Sequence, residues 1–369
     1  MNYREIVSIY QKKHYLLSLM LELTFSCQFK CPFCYNERSK KGKVLNLEKY
    51  GEILREGKEL GALFLTLTGG EPTLNKLFFK ICKIANDLNY SIRIKSNGYN
   101  WDKNFIKRLK EEVNPFNVDL SIHSVRKETF EKITGIEGSF ENFMDTVENL
   151  IKENIRIRFK FPLNILNEEE VEKIFDFSKK LKIEIDGFAE ITPTDDGKIY
   201  PLNYTASPEG IKKMYEQIYS INKDRDFNFI SQEEIEEMEL DEEYVCGAGV
   251  LSALIDPFGN LFPCVAWRQK LGNLWEKGLK EIWNSKEMKD FLKINKVAKE
   301  RKKKAKILKD ELFCPGTAHS QFKNPLTIYP ECIKIAKIKR KVLEDKRKEK
   351  EYERKEEIRK TKNPRSRKN

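Results

Sequence analysis

Three cysteines fall within eight residues in Cys27-Gln-Phe-Lys-Cys31-Pro-Phe-Cys34, directly after the apolar run LLSLMLELTF. Thiolates are ligands for soft metals, and their number decides which chemistry they support. Structural zinc takes four ligands, commonly in short-spaced pairs, and catalytic zinc usually includes His or carboxylate. Three thiolates in one loop fit neither pattern. A cubane [4Fe–4S] cluster is ordinarily held by four thiolates. Three would leave one iron open to an outside ligand, which is what a cluster needs if it is to act on a bound molecule. Cys246, Cys264, Cys314 and Cys332 lie much later in the chain and read as a second metal-binding group.

The residues between these groups alternate in period. Strand-like runs LLSLMLELT, ALFLTLT, SIRIKS, NVDLSI, IRIRFKF and IEIDGFAEI are separated by amphipathic stretches such as LEKYGEILREGKEL and SFENFMDTVENLIKEN. Such β-then-α units, running from Leu16 to about Ile191, predict an α/β fold, a partial (β/α)6 TIM-like barrel. A closed eight-stranded barrel needs two more units before the pattern breaks near Thr192. Ligands of such folds meet the carboxy-terminal ends of the strands, and the three-cysteine loop follows the first of them. The expected domains are 1–236, the barrel with a helical linker; 237–335, a small cysteine-rich domain; and 336–369, a basic tail, helical or disordered.

The second strand-like run ends in Thr68-Gly69-Gly70-Glu71-Pro72. A CxxxCxxC loop with Phe33 before its last cysteine and Tyr35 after it, followed by GGEP at the next strand end, resembles the radical S-adenosylmethionine (radical SAM) enzymes. The resemblance implies that Cys27, Cys31 and Cys34 hold a [4Fe–4S] cluster whose open iron is chelated by the amine and carboxylate of S-adenosylmethionine. It further implies that Gly69 and Gly70 allow close backbone approach to the methionyl amine, that Glu71 orients that amine, and that Phe33 and Tyr35 lie near the adenine. Ser96-Asn97-Gly98, ending the third run, and Ser121, ending the fourth, resemble cofactor-contacting positions, although Ser-Asn-Gly is also an ordinary turn. The implied chemistry is reductive cleavage of the sulfonium to a 5′-deoxyadenosyl radical, which takes hydrogen from a substrate C–H bond in an oriented, dry cavity. His123 falls two residues past Ser121 on the same side of the strand end, either as a structural histidine or as a substrate-facing proton-transfer group. Arg158 and Lys160 alternate with apolar residues on the fifth run and face either the barrel interior or solvent.

The later cysteines resemble the SPASM/twitch subgroup of the same superfamily. The resemblance rests on Cys246-Gly-Ala-Gly, the turn Asp256-Pro257-Phe258-Gly259-Asn260, LFPC ending in Cys264, and LGNLWEKGLKEIW. KITGIEGSFENF at 132–143 adds a resemblance to peptide-modifying members. A full SPASM domain has more cysteines than are present here. That departure implies one auxiliary [4Fe–4S] cluster at Cys246, Cys264, Cys314 and Cys332 with no open iron, which would shuttle an electron or hold the fold. Zinc at the same thiols is the other reading.

The formal net charge is +11, yet residues 296–369 carry 26 Lys+Arg against 11 Asp+Glu, a net +15, which leaves the rest of the chain at −4. The basic excess therefore belongs to a tail of mixed sign, read as a solvated helix fraying into a disordered end, and nucleic acid is not the expected partner. No long apolar run and no signal-peptide pattern occurs, so a cytoplasmic protein without membrane association is expected. In that reducing compartment cysteines are expected as metal ligands or reactive groups rather than as disulfides. Cys82, in KLFFKICKIANDL, has the spacing of a small core residue. With no spare thiol to return a hydrogen atom, oxidative outcomes are favoured over epimerisation. The expected substrate is a ribosomally made precursor peptide that receives a thioether or carbon–carbon crosslink. Peptide epimerisation and small-molecule dehydrogenation or cofactor biosynthesis are the alternatives. Peptide capture is expected from a separate recognition protein, the acidic region 207–243 or the basic tail, and reducing power from a flavodoxin- or ferredoxin-like protein.

Overall fold

In these β-rich runs one set of alternate positions is apolar and the other polar: Leu19 and Leu21 against Ser18 and Glu22, Ile92 and Ile94 against Arg93 and Lys95, Phe159 and Phe161 against Arg158 and Lys160. A computed structural model describes residues 3–221, 243–308 and 313–362. It buries the apolar set beneath a layer of helices and turns the polar set to the inner face, where Lys95, Asp119, Ser121 and Lys160 line a central cavity. Strands β1 (Ser18–Glu22), β2 (Phe64–Thr68), β3 (Ser91–Ser96), β4 (Asn117–Ser121), β5 (Ile157–Pro162) and β6 (Glu184–Phe188) pair in parallel, each beside its sequence neighbour. Parallel neighbours require crossovers long enough to reverse the chain. These are made by α2 (Leu47–Glu59), α3 (Phe78–Asp87), α4 (Lys103–Arg108), α5 (Lys127–Thr134), α6 (Ser139–Lys152) and α7 (Val171–Leu181), after an amino-terminal helix α1 (Tyr3–Lys13). Local chemistry marks their starts: Asn46 and Asp102 accept hydrogen bonds from the N–H groups of Lys49 and Phe105, the N-cap arrangement. Helix α8 (Pro208–Ile221) follows β6. The acidic segment 231–244 read from the sequence lies mostly outside the described residues.

The cysteine-rich region continues the barrel sheet instead of forming a sheet of its own. Strand β7 (Ser252–Ile255) pairs in parallel with β1, and β8 (Asn260–Phe262) and β9 (Gly272–Asn273) follow in antiparallel order. Asp256 closes the β7–β8 turn by accepting from the N–H groups of Phe258 and Asn260, each at 2.9 Å. The expected boundary at 237 therefore divides two parts of one nine-stranded sheet. Helices α9 (Leu279–Trp283), α10 (Lys286–Lys304), α11 (Pro315–Phe322) and α12 (Pro330–Lys362) complete the chain. The expected boundary at 335 falls inside α12, and the tail is helical as far as Lys362. Among the described residues no helix is long and apolar enough to cross a membrane.

Candidate active site

The loop after β1 is built against the end of β2 through backbone alone. Leu23 N–H donates to Thr68 O at 2.9 Å, Gly70 N–H to Thr24 O at 2.7 Å, and Glu71 N–H to Ser26 O at 2.8 Å. This pairing explains both glycines: a Cβ on Gly69 would lie 2.3 Å from Thr24 O, and one on Gly70 2.2 Å from Ser26 O. Gly69 also holds φ +128°, which side chains rarely adopt. The sequence reading gave these glycines to a ligand's approach. In the structure they first let the chain approach itself. Further on, Arg38 Nη1 donates to Cys27 O at 3.2 Å and Asn36 Nδ2 to Phe25 O at 3.0 Å, closing the loop.

Cys27, Cys31 and Cys34 line one cavity of ≈ 390 Å³ together with Phe33, Tyr35, Gly69, Gly70, Ser96, Asn97, Ser121 and His123. Burial raises all three thiols, outweighing the nearby Arg38 guanidinium, which pulls each of them down. Asn97 Nδ2 lies 3.5 Å from Cys27 Sγ, and His123 Nε2 3.8 Å from Cys31 Sγ. The imidazole sits among Phe29, Phe33 and Phe130, and burial lowers its pKa to about 4. It is a neutral ring against a sulfur, with Nδ1 buried and unpartnered.

Glu71 is the exception among the expected contacts. Its carboxylate is not in the cavity wall. It is fully buried behind the wall, accepting from Ser96 Oγ at 2.9 Å, Asn97 N–H at 2.9 Å and Thr73 Oγ1 at 2.7 Å. It thus positions Ser96 and Asn97, the residues that do face the cavity.

Arg158 and Lys160 face the barrel interior. Arg158 meets Glu184 at 2.9 Å and Lys160 meets Asp186 at 2.7 Å, so β5 and β6 are tied by charge across the inner face. Several site features carry no sequence motif. Arg268, a few residues past Cys264, forms a bidentate pair with Glu22 at the end of β1, at 2.8 and 2.6 Å, with both side chains almost wholly buried. Arg268 also lies 3.7 Å from Asp195, which pairs with Lys40 at 2.5 Å and gives its N–H to Tyr35 O at 2.8 Å. One buried charge group thereby joins the cysteine loop, the segment after β6 and the segment after Cys264. Glu190, past β6, lines the cavity and accepts from Tyr329 Oη at 2.5 Å.

Of the later cysteines, Cys314 and Cys332 share a neighbour in Glu190, whose charge both feel. Cys332 Sγ donates to Tyr329 O at 2.9 Å. Helix α11, which begins just after Cys314, is packed against the backbone of Ala266 and Trp267: a Cβ on Gly316 would lie 2.7 Å from each. Cys264 accepts from Trp267 N–H at 3.3 Å. Asn295 on α10 donates to Cys246 O at 3.2 Å. Cys82 is fully buried in α3 beside Ile81 and Ala85, away from both groups.

Comparison with known proteins fits this geometry. Residues 21–178 match the model of the radical SAM superfamily, and residues 246–307 that of the SPASM iron–sulfur cluster-binding domain. The chain carries a radical SAM domain and a SPASM domain. The matched SPASM segment ends before Cys314 and Cys332, which α11 and α12 bring back toward it. The structure of SuiB from Streptococcus suis bound to S-adenosylmethionine has the same fold, with TM-score 0.66 and 20% identity over 89% of this chain and 80% of that one. A structure of anSMEcpe with bound S-adenosylmethionine gives TM-score 0.65 and 20% identity over 87% of this chain and 95% of that one. By sequence, a probable GTP 3′,8-cyclase of Saccharolobus islandicus is 25% identical over 68% of this chain and 77% of that protein. The sporulation killing factor maturation protein SkfB of Bacillus subtilis is 29% identical over 43% of this chain and 39% of that protein.

The cofactors of radical SAM and SPASM domains are S-adenosylmethionine and iron–sulfur clusters. The donor set suits them. Among the described residues no three His, Cys, Asp or Glu side chains draw close enough to enclose a single metal ion. Thiols spread around a cavity suit a polynuclear cluster, whose irons separate their ligands, better than one zinc with bonds of about 2.3 Å. Because ligands bind deprotonated, the raised thiols of the metal-free chain are groups that iron would ionise.

Proposed function

We propose that this radical SAM protein is a peptide maturase that abstracts hydrogen from a ribosomally made precursor peptide and installs a thioether or carbon–carbon crosslink. Cys27, Cys31 and Cys34 would hold the cluster that meets S-adenosylmethionine, and Cys246, Cys264, Cys314 and Cys332 a single auxiliary one. When bound, these groups supply one-electron cleavage to a 5′-deoxyadenosyl radical and a route for a second electron. The remaining work belongs to the chain. Gly69, Gly70, Ser96, Asn97 and Ser121 present polar and backbone groups on one wall. Phe29, Phe33, Phe188 and Ile191 make much of the rest of the lining apolar, which limits quenching by water.

The observation that carries this reading is that one cavity is bounded by the three-cysteine loop and by Glu190 and Val265, which adjoin the later cysteines. A crosslink removes two hydrogens from the peptide, one as an atom and one as a proton with an electron, and such a two-ended chamber accommodates both departures. The burial of Cys82 supports an oxidative outcome, since that thiol cannot return hydrogen to a radical in the cavity. SuiB has been solved with its precursor peptide, and anSMEcpe with a peptide, which supports a peptide as the class of substrate. A flavodoxin- or ferredoxin-like reductant, a separate recognition protein and a cytoplasmic setting complete the proposal.

The curated GTP 3′,8-cyclases favour a second reading, cofactor biosynthesis on a small molecule. Two incubations separate them. The anaerobically reconstituted chain, reduced with S-adenosylmethionine, is given candidate short peptides from open reading frames neighbouring its gene or is given GTP. Loss of two hydrogen masses from the peptide is expected. Consumption of GTP with a matching rise in 5′-deoxyadenosine would overturn the maturase reading.

A further inference from the structure

Most charges on the inner face of the barrel make close ion pairs; Lys95 makes none, and beside it Asp119, which feels the charge of Arg158 on the strand opposite, keeps one carboxylate oxygen without a hydrogen bond. Lys95 on β3 and Asp119 on β4 are register partners, and both line the cavity. Lys95 has no hydrogen-bond or ion-pair partner among the described residues. Asp119 is only 1% exposed. Its Oδ1 accepts from Asn117 Nδ2, while its Oδ2 is buried without a partner. Neighbouring strands stand about 4.8 Å apart, yet the two side chains form no ion pair within 4.0 Å. A buried acceptor without a donor is costly unless something joins it, and the half-buried Lys95 beside it is a cation left open to an incoming anion.

We propose that Lys95 and Asp119 form a subsite for a substrate α-carboxylate and the N–H beside it. Lys95 takes the carboxylate, and Asp119 Oδ2 takes the N–H on the same α-carbon. The two substrate groups are separated by one carbon atom, which suits two acceptor and donor positions on adjacent strands. A phosphate meets only half of this chemistry, because it brings no donor to Asp119 and sets negative charge against it. A peptide carbonyl brings no anion to Lys95. The chemistry is shared by the free C-terminal residue of a peptide and by a free N-acylated amino acid. In the maturase reading, on which this inference rests, the subsite seats the last residue of the substrate at the cavity floor.

The test uses the reconstituted full chain with S-adenosylmethionine and defined probes: an N-acetylated tetrapeptide with a free C-terminal carboxylate, its C-terminal amide, the amide carrying an internal Asp, the N-acetylated terminal amino acid alone, and inorganic phosphate. Affinities are read by calorimetry. The free-carboxylate peptide is expected to bind about tenfold or more tightly than its amide. That preference should vanish in Lys95→Met, persist in Lys95→Arg and weaken in Asp119→Asn, with unchanged thermal transitions certifying the fold. Stronger binding of the tetrapeptide than of the single amino acid assigns the subsite to a peptide end, and the reverse assigns it to a small acid. Equal binding of acid and amide, preference for phosphate or for the internal Asp, or a Lys95→Met change confined to the affinity for S-adenosylmethionine would each overturn the inference. Formation of 5′-deoxyadenosine by the wild-type chain without any probe tests the radical chemistry separately, so the two failures are distinguishable.

Discussion

Replacing Arg268 with Met leaves Glu22 buried with its carboxylate stripped of two charge-assisted hydrogen bonds, at 2.8 and 2.6 Å. The side chains are 7% and 0% exposed, so water cannot take the guanidinium's place. Removing one partner of a buried ion pair costs about 3–5 kcal/mol, whereas replacing both partners with apolar residues is often neutral or stabilising by about 1–4 kcal/mol. Against a total stability of about 5–15 kcal/mol, Arg268→Met should be a severely destabilising change. The assay is urea denaturation of the cluster-free chain under reducing conditions, as a double-mutant cycle with Glu22→Met. We expect each single variant to lose about 3–5 kcal/mol and the pair to lose far less than the sum. Because the same group anchors Tyr35 and Lys40 through Asp195, the double variant should fold yet bind S-adenosylmethionine more weakly. A single-variant loss below about 0.5 kcal/mol, the range of an ordinary surface change, would refute the reasoning.

Gly70→Ala should drive the β2 end from the loop, because its Cβ would lie 2.2 Å from Ser26 O; iron content should fall from about eight to about four atoms per chain while the auxiliary cluster survives. Glu71→Gln presents an amide to donors from Ser96, Asn97 and Thr73 and should cost about 1–3 kcal/mol, with weaker S-adenosylmethionine binding in the same titration. Cys82→Ala should cost about 1 kcal/mol and leave 5′-deoxyadenosine and product in their wild-type ratio; loss of product alone would revive epimerisation. Burial pushes the Glu170 carboxyl up, but Ser124, Thr129 and Arg126 overcome it and hold it below its ordinary 4.5. A depressed carboxyl stabilises the fold above its unfolded pKa and loses that contribution as pH falls through its folded value. The acid limb of the stability curve should therefore begin below about pH 4.5 and flatten in Glu170→Gln.

The barrel was legible because every βα unit repeats a local signal: apolar alternation in strands such as SIRIKS, then a helix period such as SFENFMDTVENLIKEN. The cysteine loop and GGEP were legible because their spacing is local too. The Glu22–Arg268 pair joins residues 246 positions apart, and no periodicity links such residues. The pairing of β7 with β1 was hidden for the same reason. Glu71 was recognised by motif, but its burial against Ser96, Asn97 and Thr73 was not, since a motif names a residue without giving the direction of its side chain. Conversely, the alternation that exposed Arg158 and Lys160 could not choose between solvent and interior until Glu184 and Asp186 were seen opposite them.

The central claim is that Cys27, Cys31 and Cys34 supply three ligands to a cluster whose remaining iron meets S-adenosylmethionine. Electron–nuclear double resonance on the reduced, anaerobically reconstituted chain with amine-15N-labelled S-adenosylmethionine tests it most directly. The account predicts a 15N hyperfine coupling that disappears in Cys31→Ala. A reduced cluster with no coupling to the labelled amine in the intact chain would contradict it.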